Sequence, residues 1–200
     1  MWKSLYIIIG SARLIPHLLC YLISQNRTII TYDLERWYQL LRNRKITDLM
    51  RNVFAFIEIM SLYPEFRNLF YKRIGRISYL LKWLCRPLPT LYLSTKEIGP
   101  GLFLQHSFST MIAAKRVGSN CWINQQVTIG YSNSTDCPTI GNNVTIYAGA
   151  KVIGKVTVGD NCVIGANAVV VKDIPPNCTV VGVPAYIVRK NGIRVTEALK

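Results

Sequence analysis

Residues 140–175, broken every six, read IGNNVT IYAGAK VIGKVT VGDNCV IGANAV VVKDIP. Ile140, Ile146, Val152, Val158, Ile164 and Val170 open the lines, and Val144, Ala150, Val156, Cys162, Ala168 and Ile174 hold the fifth place. The physical reading of such a hexapeptide repeat is a triangular coil. Each unit makes one short flat face, its first residue points into a prism, its fifth fills the space beside it, and Gly, Asn or Asp permits the tight corner. The expected fold is therefore mainly β, a parallel β-helix.

The same phase reaches back, less regularly, through Ile98 and Leu104, then Val117, Ile123 and Ile129. Its register shifts near Ala113 to Arg116 and again at the polar insertion YSNSTDCPT, residues 131–139, which is expected to loop out of the prism. Upstream, to about residue 92, the pattern is helical. Thr31 and Asp33 are expected to cap a segment through Arg44, and Thr47 to cap TDLMRNVFAFIEIM. Pro64 opens PEFRNLFYKRIGRISYLLKWLC as a first-turn proline. RPLPT, residues 86–90, breaks the helix. The expected organisation is a small α-helical N-terminal region at 1–92, the repeat domain at 93–192 and a C-terminal tail at 193–200.

At 200 residues, 50% hydrophobic and 17% charged, the chain can bury one sizeable core or two small ones. Twenty-four Lys and Arg against 10 Asp and Glu give a net charge of +14, with the larger share in the N-terminal half. That sign suits an anionic partner: a nucleic acid, an acidic membrane surface or a phosphorylated small molecule. No nucleic-acid recognition motif supports the first, so no nucleic-acid partner is expected. The six cysteines form no CxxC pair and no zinc spacing, and read as reduced thiols of a cytoplasmic protein. MWKSLYIIIGSARLIPHLLCYLI is interrupted by Arg13, Pro16 and His17, so it falls short of the roughly 20 apolar residues of a spanning helix. It reads as a packed helix, with peripheral contact to an anionic membrane as the lesser reading.

Only two histidines exist, His17 and His106. His106 lies in GLFLQHSFST, residues 101–110, a stretch that otherwise reads as buried strand, where an isolated histidine is by default a core residue. The neighbourhood reverses this. LQHS, the VTIG before a polar loop, YAGAKVIG, GANAVV and the exit VVGVPAYIVRK resemble the left-handed β-helix acyltransferases of the serine acetyltransferase-like branch, over roughly residues 62–192. The resemblance, not the repeat, supplies the left hand of the coil.

It implies an acetyl-CoA-dependent O-acetyltransferase without a metal, working as a homotrimer with sites between neighbouring prisms, and with N-terminal helices able to pair two trimers. His106 falls where the family places its general base, and an imidazole can take the proton of an attacking hydroxyl. Gly130 and Tyr131 match the turn that aims a backbone N–H at the developing oxyanion. Ala148, Gly149, Ala166, Val183, Pro184 and Ala185 match the groove for the pantetheine arm, and Lys172, Arg189 and Lys190 the cations for the coenzyme phosphates.

The acceptor side departs from the family. Tyr63, Gln105 and Asp136 stand where serine acetyltransferases carry two carboxylates and a loop arginine, which together hold the charges of serine. Burying those charges without partners is costly, so the expected acceptor is a neutral sugar hydroxyl in cell-surface polysaccharide synthesis. The Cys137-Pro138-Thr139-Ile140-Gly141 run, which resembles the polysaccharide O-acetyltransferase branch, points the same way. L-Serine is the alternative acceptor, and a non-catalytic trimeric scaffold a weaker one. Glu97 and Asp136 are the candidates to orient His106. A zinc enzyme of the carbonic anhydrase type would need about three histidines per metal, and the repeat region has one.

Overall fold

The computed structural model describes residues 12–199. The chain forms two compact units, Met1–Pro89 and Thr90–Lys200.

The first unit is helical: α1 (Ile15–Ile23), α2 (Arg27–Arg42), α3 (Leu49–Leu62), α4 (Pro64–Ile74) and α5 (Ser78–Leu81). Residues 1–11 of the apolar N-terminal stretch lie outside the described residues; the remainder enters α1, where His17 and Tyr21 are buried. Trp37, Phe56, Phe66 and Phe70 form the aromatic centre, with Trp37 edge-on to Phe66 at 5.2 Å and Phe56 edge-on to Phe70 at 5.3 Å. The caps differ from expectation. Helix α2 starts at Arg27, so Thr31 lies inside it and its hydroxyl donates back to the Arg27 carbonyl at 2.9 Å. Asp33 is not a cap but a buried partner of Arg73, with Arg73 Nε at 2.8 Å from Oδ2. Asp48 rather than Thr47 caps α3, accepting the Arg51 N–H at 2.9 Å. The helix opened by Pro64 stops at Ile74 because Gly75 takes φ 65°, and a short 3₁₀ turn then leads into α5. Among the described residues no helix is long and apolar enough to cross a membrane.

The second unit is the parallel β-helix, of about five turns. Sheet A stacks β1 (Leu91–Leu93), β4 (Thr110–Ile112), β7 (Thr128–Gly130), β10 (Lys151–Ile153) and β13 (Val169–Val170). Sheet B stacks β2 (Glu97–Ile98), β5 (Arg116–Val117), β8 (Thr139–Ile140) and β11 (Thr157–Val158). Sheet C stacks β3 (Phe103–Leu104), β6 (Trp122–Ile123), β9 (Thr145–Ile146), β12 (Val163–Ile164) and β14 (Cys178–Val181). The inward residues form columns in register. Ile98, Val117, Ile140 and Val158 line sheet B, and Leu104, Ile123, Ile146, Ile164 and Val180 line sheet C, nearly all fully buried.

One glycine follows each inward residue of sheet B for a reason. A Cβ on Gly118 would overlap the Gly141 carbonyl of the next coil, and one on Gly99 would overlap Gly118. The fifth places, small or aliphatic, are all buried: Cys162 is fully so and burial pushes its thiol up to about 11, which makes it a packing residue rather than a nucleophile. The insertion runs between β7 and β8 with residues 131–135 exposed, and Asn133 accepts the Thr135 and Asp136 N–H groups to close its turn. The expected tail supplies β16 (Ile193–Ala198), which pairs antiparallel with β15 (Tyr186–Lys190), itself antiparallel to β14, so that sheet C is extended.

Candidate active site

The chain turns from sheet C into sheet A once per coil, and these turns stack into a ladder along one edge of the prism. Its rungs are tied by backbone hydrogen bonds: Gln126 N–H to Phe108 C=O at 3.0 Å, Gly149 to Gln125 at 3.1 Å, Asn167 to Ala148 at 2.9 Å and Val169 to Gly182 at 3.0 Å. His106 is on the lowest rung, Ala148 and Gly149 on the third, Ala166 on the fourth and Val183, Pro184 and Ala185 on the fifth. The general-base candidate and the pantetheine candidates thus share a single edge, with small residues above the imidazole.

His106 is not in a strand. Leu104 and Ile112 lie eight positions apart, whereas their stacked counterparts Ile123 and Ile129 are six apart, so the lowest turn carries two extra residues. The excess is absorbed by a tight turn in which the Phe108 N–H donates to the His106 carbonyl and His106 takes φ 57°. That left-handed conformation is uncommon outside glycine, though histidine is among the residues that adopt it more readily. Ser107 is buried and donates to the Ile123 carbonyl at 3.2 Å, so the turn is pinned while the imidazole stays exposed.

Beside it, Gln105 does not point freely outward. The Trp122 indole N–H is shared between Gln105 Oε1 at 3.2 Å and Asn124 Oδ1 at 2.8 Å, and the Trp122 ring meets Phe103 edge-on at 4.8 Å. Trp122 and Asn124 were not among the expected site residues. The available signal was their position on either side of inward Ile123, which puts both on the outer face of sheet C.

The remaining candidates lie elsewhere. Gly130 and Tyr131 close β7 at the opposite edge of sheet A from His106, about 10 Å away at the rise of a strand. Tyr131 is exposed, and a hydrogen bond with Cys137 raises its phenol. Asp136 is held within the loop by Asn133 Nδ2 at 2.9 Å, and Glu97 is in sheet B, so neither orients His106 within one chain. Lys172 follows β13 at the Tyr131 edge, where its ammonium donates to the Leu199 carbonyl at 3.3 Å. Lys190 pairs with Glu197 at 3.3 Å, and Arg189 is exposed on β15. Tyr63 belongs to the helical unit, between α3 and α4, with its ring 6.2 Å from Trp37. Among the described residues no group of three or more His, Cys, Asp or Glu could hold a metal.

Residues 137–172 match the family model described as bacterial transferase hexapeptide (six repeats). The serine acetyltransferase of Synechococcus elongatus is 35% identical over 153 residues, covering 70% of this chain and 63% of that protein. The chain carries the hexapeptide repeat and is similar to serine acetyltransferases. The Staphylococcus xylosus serine acetyltransferase is 43% identical over 103 residues, 50% of this chain and 48% of its own. The chain therefore spans less than two thirds of the length of these curated relatives. Among solved structures, the Neisseria gonorrhoeae serine acetyltransferase aligns with TM-score 0.63 and 27% identity over 89% of this chain and 69% of that one. The Brucella abortus enzyme in complex with coenzyme A aligns with TM-score 0.64 and 26% identity over 82% and 68%.

These likenesses overturn the sugar acceptor and the polysaccharide pathway expected from Tyr63, Gln105 and Asp136, because the relatives are serine acetyltransferases. The inference failed at a definite step. Charges on an acceptor need partners, but the partners need not be ionised side chains at three fixed positions: amides, hydroxyls and backbone groups also satisfy them. The relatives give no support to contact with an anionic membrane.

Proposed function

We propose that this serine acetyltransferase-like chain transfers an acetyl group from acetyl-CoA to the hydroxyl of L-serine. The observation that carries the reading is the match to a serine acetyltransferase over 70% of the chain, a span that includes the middle, where Tyr63 through Asp136 lie. The ladder edge agrees with it. His106 takes the hydroxyl proton as the serine oxygen attacks the thioester carbonyl. A C–O bond forms and the C–S bond then breaks, and the proton passes from the imidazole to the departing CoA sulfur. The pantetheine arm lies along Ala148, Gly149, Ala166 and Val183 to Ala185; Arg189, Lys190 and Lys172 are assigned to its phosphates, Lys172 from a neighbouring copy because in its own chain it stands at the opposite edge of sheet A.

The oxyanion donor at Gly130 and Tyr131 is a strand's length from His106 in the same chain, so the site is completed by a neighbouring copy, as in a homotrimer. The six free thiols suit a reducing, cytoplasmic setting. The test is release of free CoA by the purified protein on addition of L-serine, with a panel of sugars alongside. Turnover with serine well above background hydrolysis supports the reading; an inert response to serine sinks it.

A further inference from the structure

The indole N–H of Trp122 is a donor only, so the amide atoms that face it are oxygens. It lies 3.2 Å from Gln105 Oε1 and 2.8 Å from Asn124 Oδ1. Both amides are thereby oriented without ambiguity of N and O, and their nitrogens lie on the far side. Neither Gln105 Nε2 nor Asn124 Nδ2 donates to any described residue, and both side chains are half-buried. The result is two NH₂ groups, held by one indole, on the outer face of sheet C next to the turn that presents His106. Such a donor pair suits a carboxylate, whose two oxygens accept and never donate, and not an ammonium, which needs acceptors. The loop at 131–139 brings no cation that would serve a carboxylate instead.

We propose that Gln105 and Asn124, aimed by Trp122, form a carboxylate subsite beside His106 that takes the carboxylate of the amino-acid acceptor. This rests on the serine reading and deepens it: the acceptor is oriented by its acid end at this wall, leaving its hydroxyl to the imidazole. Trp122 is a positioning residue, since its N–H is spent on the two amides, while Gln105 and Asn124 touch the substrate.

The test uses two fragments of serine as probes in ligand-observed NMR without the acetyl donor: 3-hydroxypropanoate, which lacks the amine, and ethanolamine, which lacks the carboxylate. Wild-type protein is expected to bind the first and not the second, and Gln105→Glu to weaken the first by about tenfold or more, since a carboxylate would then face a carboxylate. Trp122→Phe keeps the ring against Phe103 and removes only the N–H. It is expected to raise KM for serine by about tenfold with little change in the KM for acetyl-CoA. Preference for ethanolamine, binding of neither probe, or tighter 3-hydroxypropanoate binding by Gln105→Glu overturns the subsite. If 3-hydroxypropanoate binds as expected and serine still drives no CoA release, the subsite stands and the serine reading falls.

Discussion

His106 is held at φ 57° on a turn two residues longer than the one stacked above it, and the longer turn is what lifts its imidazole out of the prism. Ser107 beneath it is pinned to the Ile123 carbonyl, so replacing the ring should not disturb the turn. His106→Ala is accordingly expected to lower serine-dependent CoA release by about 10²–10⁴-fold while leaving acetyl-CoA binding by calorimetry unchanged. Comparable turnover in the variant would remove the histidine from the chemistry. His17, the other histidine, has the opposite situation. It is fully buried, its Nε2 is 2.8 Å from the Tyr71 hydroxyl, and Tyr71 donates to the Cys85 carbonyl at 2.6 Å. Tyr71 has one proton and has given it to Cys85, so the imidazole Nε2–H donates to the tyrosine oxygen.

The sheet B edge shows how a small side chain becomes obligatory. Gly118 faces the Gly141 carbonyl with no room for a methyl group, so Gly118→Ala must push two coils apart and should cost about 1–3 kcal/mol, read as a lower midpoint in thermal unfolding. In the helical unit the buried Asp33–Arg73 pair links α2 to α4. Arg73→Met removes the buried guanidinium that faces the Asp33 carboxylate and should destabilise by about 3–5 kcal/mol in a denaturant titration, more than Asp33→Asn with Arg73→Met together. These elements also show what the sequence disclosed. The columns from Ile98 to Val170 were readable because their spacing is imposed by the coil itself, and the Gly, Asn and Asp residues at the corners belonged to the same pattern. The caps of α2 and α3 were not readable, since Thr31, Asp33, Thr47 and Asp48 all qualify by type and only packing against α4 assigns Asp33 its role. His106 was singled out as a candidate by its neighbours, whereas the tie of Trp122 to Gln105 and Asn124 lies in one shared hydrogen that no spacing reveals.

For the whole molecule, the two edges of sheet A set the arithmetic of assembly. With His106 at one edge and Tyr131 at the other, an inactive His106→Ala chain and an inactive Tyr131→Pro chain, which lacks the N–H proposed for the oxyanion, should recover partial activity when refolded together. Mixed oligomers that remain as inactive as the parents would argue for a site within one chain. Acidity should act on the helical unit through His17, whose pKa is lowered mainly by burial, with Arg67 and Arg13 adding to the effect and backbone contacts opposing it. The unfolded chain then binds the proton more readily than the folded one, so this stabilisation is complete above about pH 6.5 and is lost as pH falls below it. A melting temperature followed from pH 8 to pH 5 should decline, and His17→Gln should flatten that decline.

The stacked turns have one more property, which is metric. Neighbouring rungs are separated by the spacing of hydrogen-bonded strands, about 4.8 Å, so His106 and the Val183 turn, four rungs apart, are about 19 Å from one another. On the proposed reading the prism works as a ruler graduated in whole coils: the number of rungs, and not the identity of any residue on them, sets how long a thioester arm would need to be to bring its acyl end to the imidazole. Deleting residues 141–158, one coil, would keep every column in phase and shorten that reach by a single graduation.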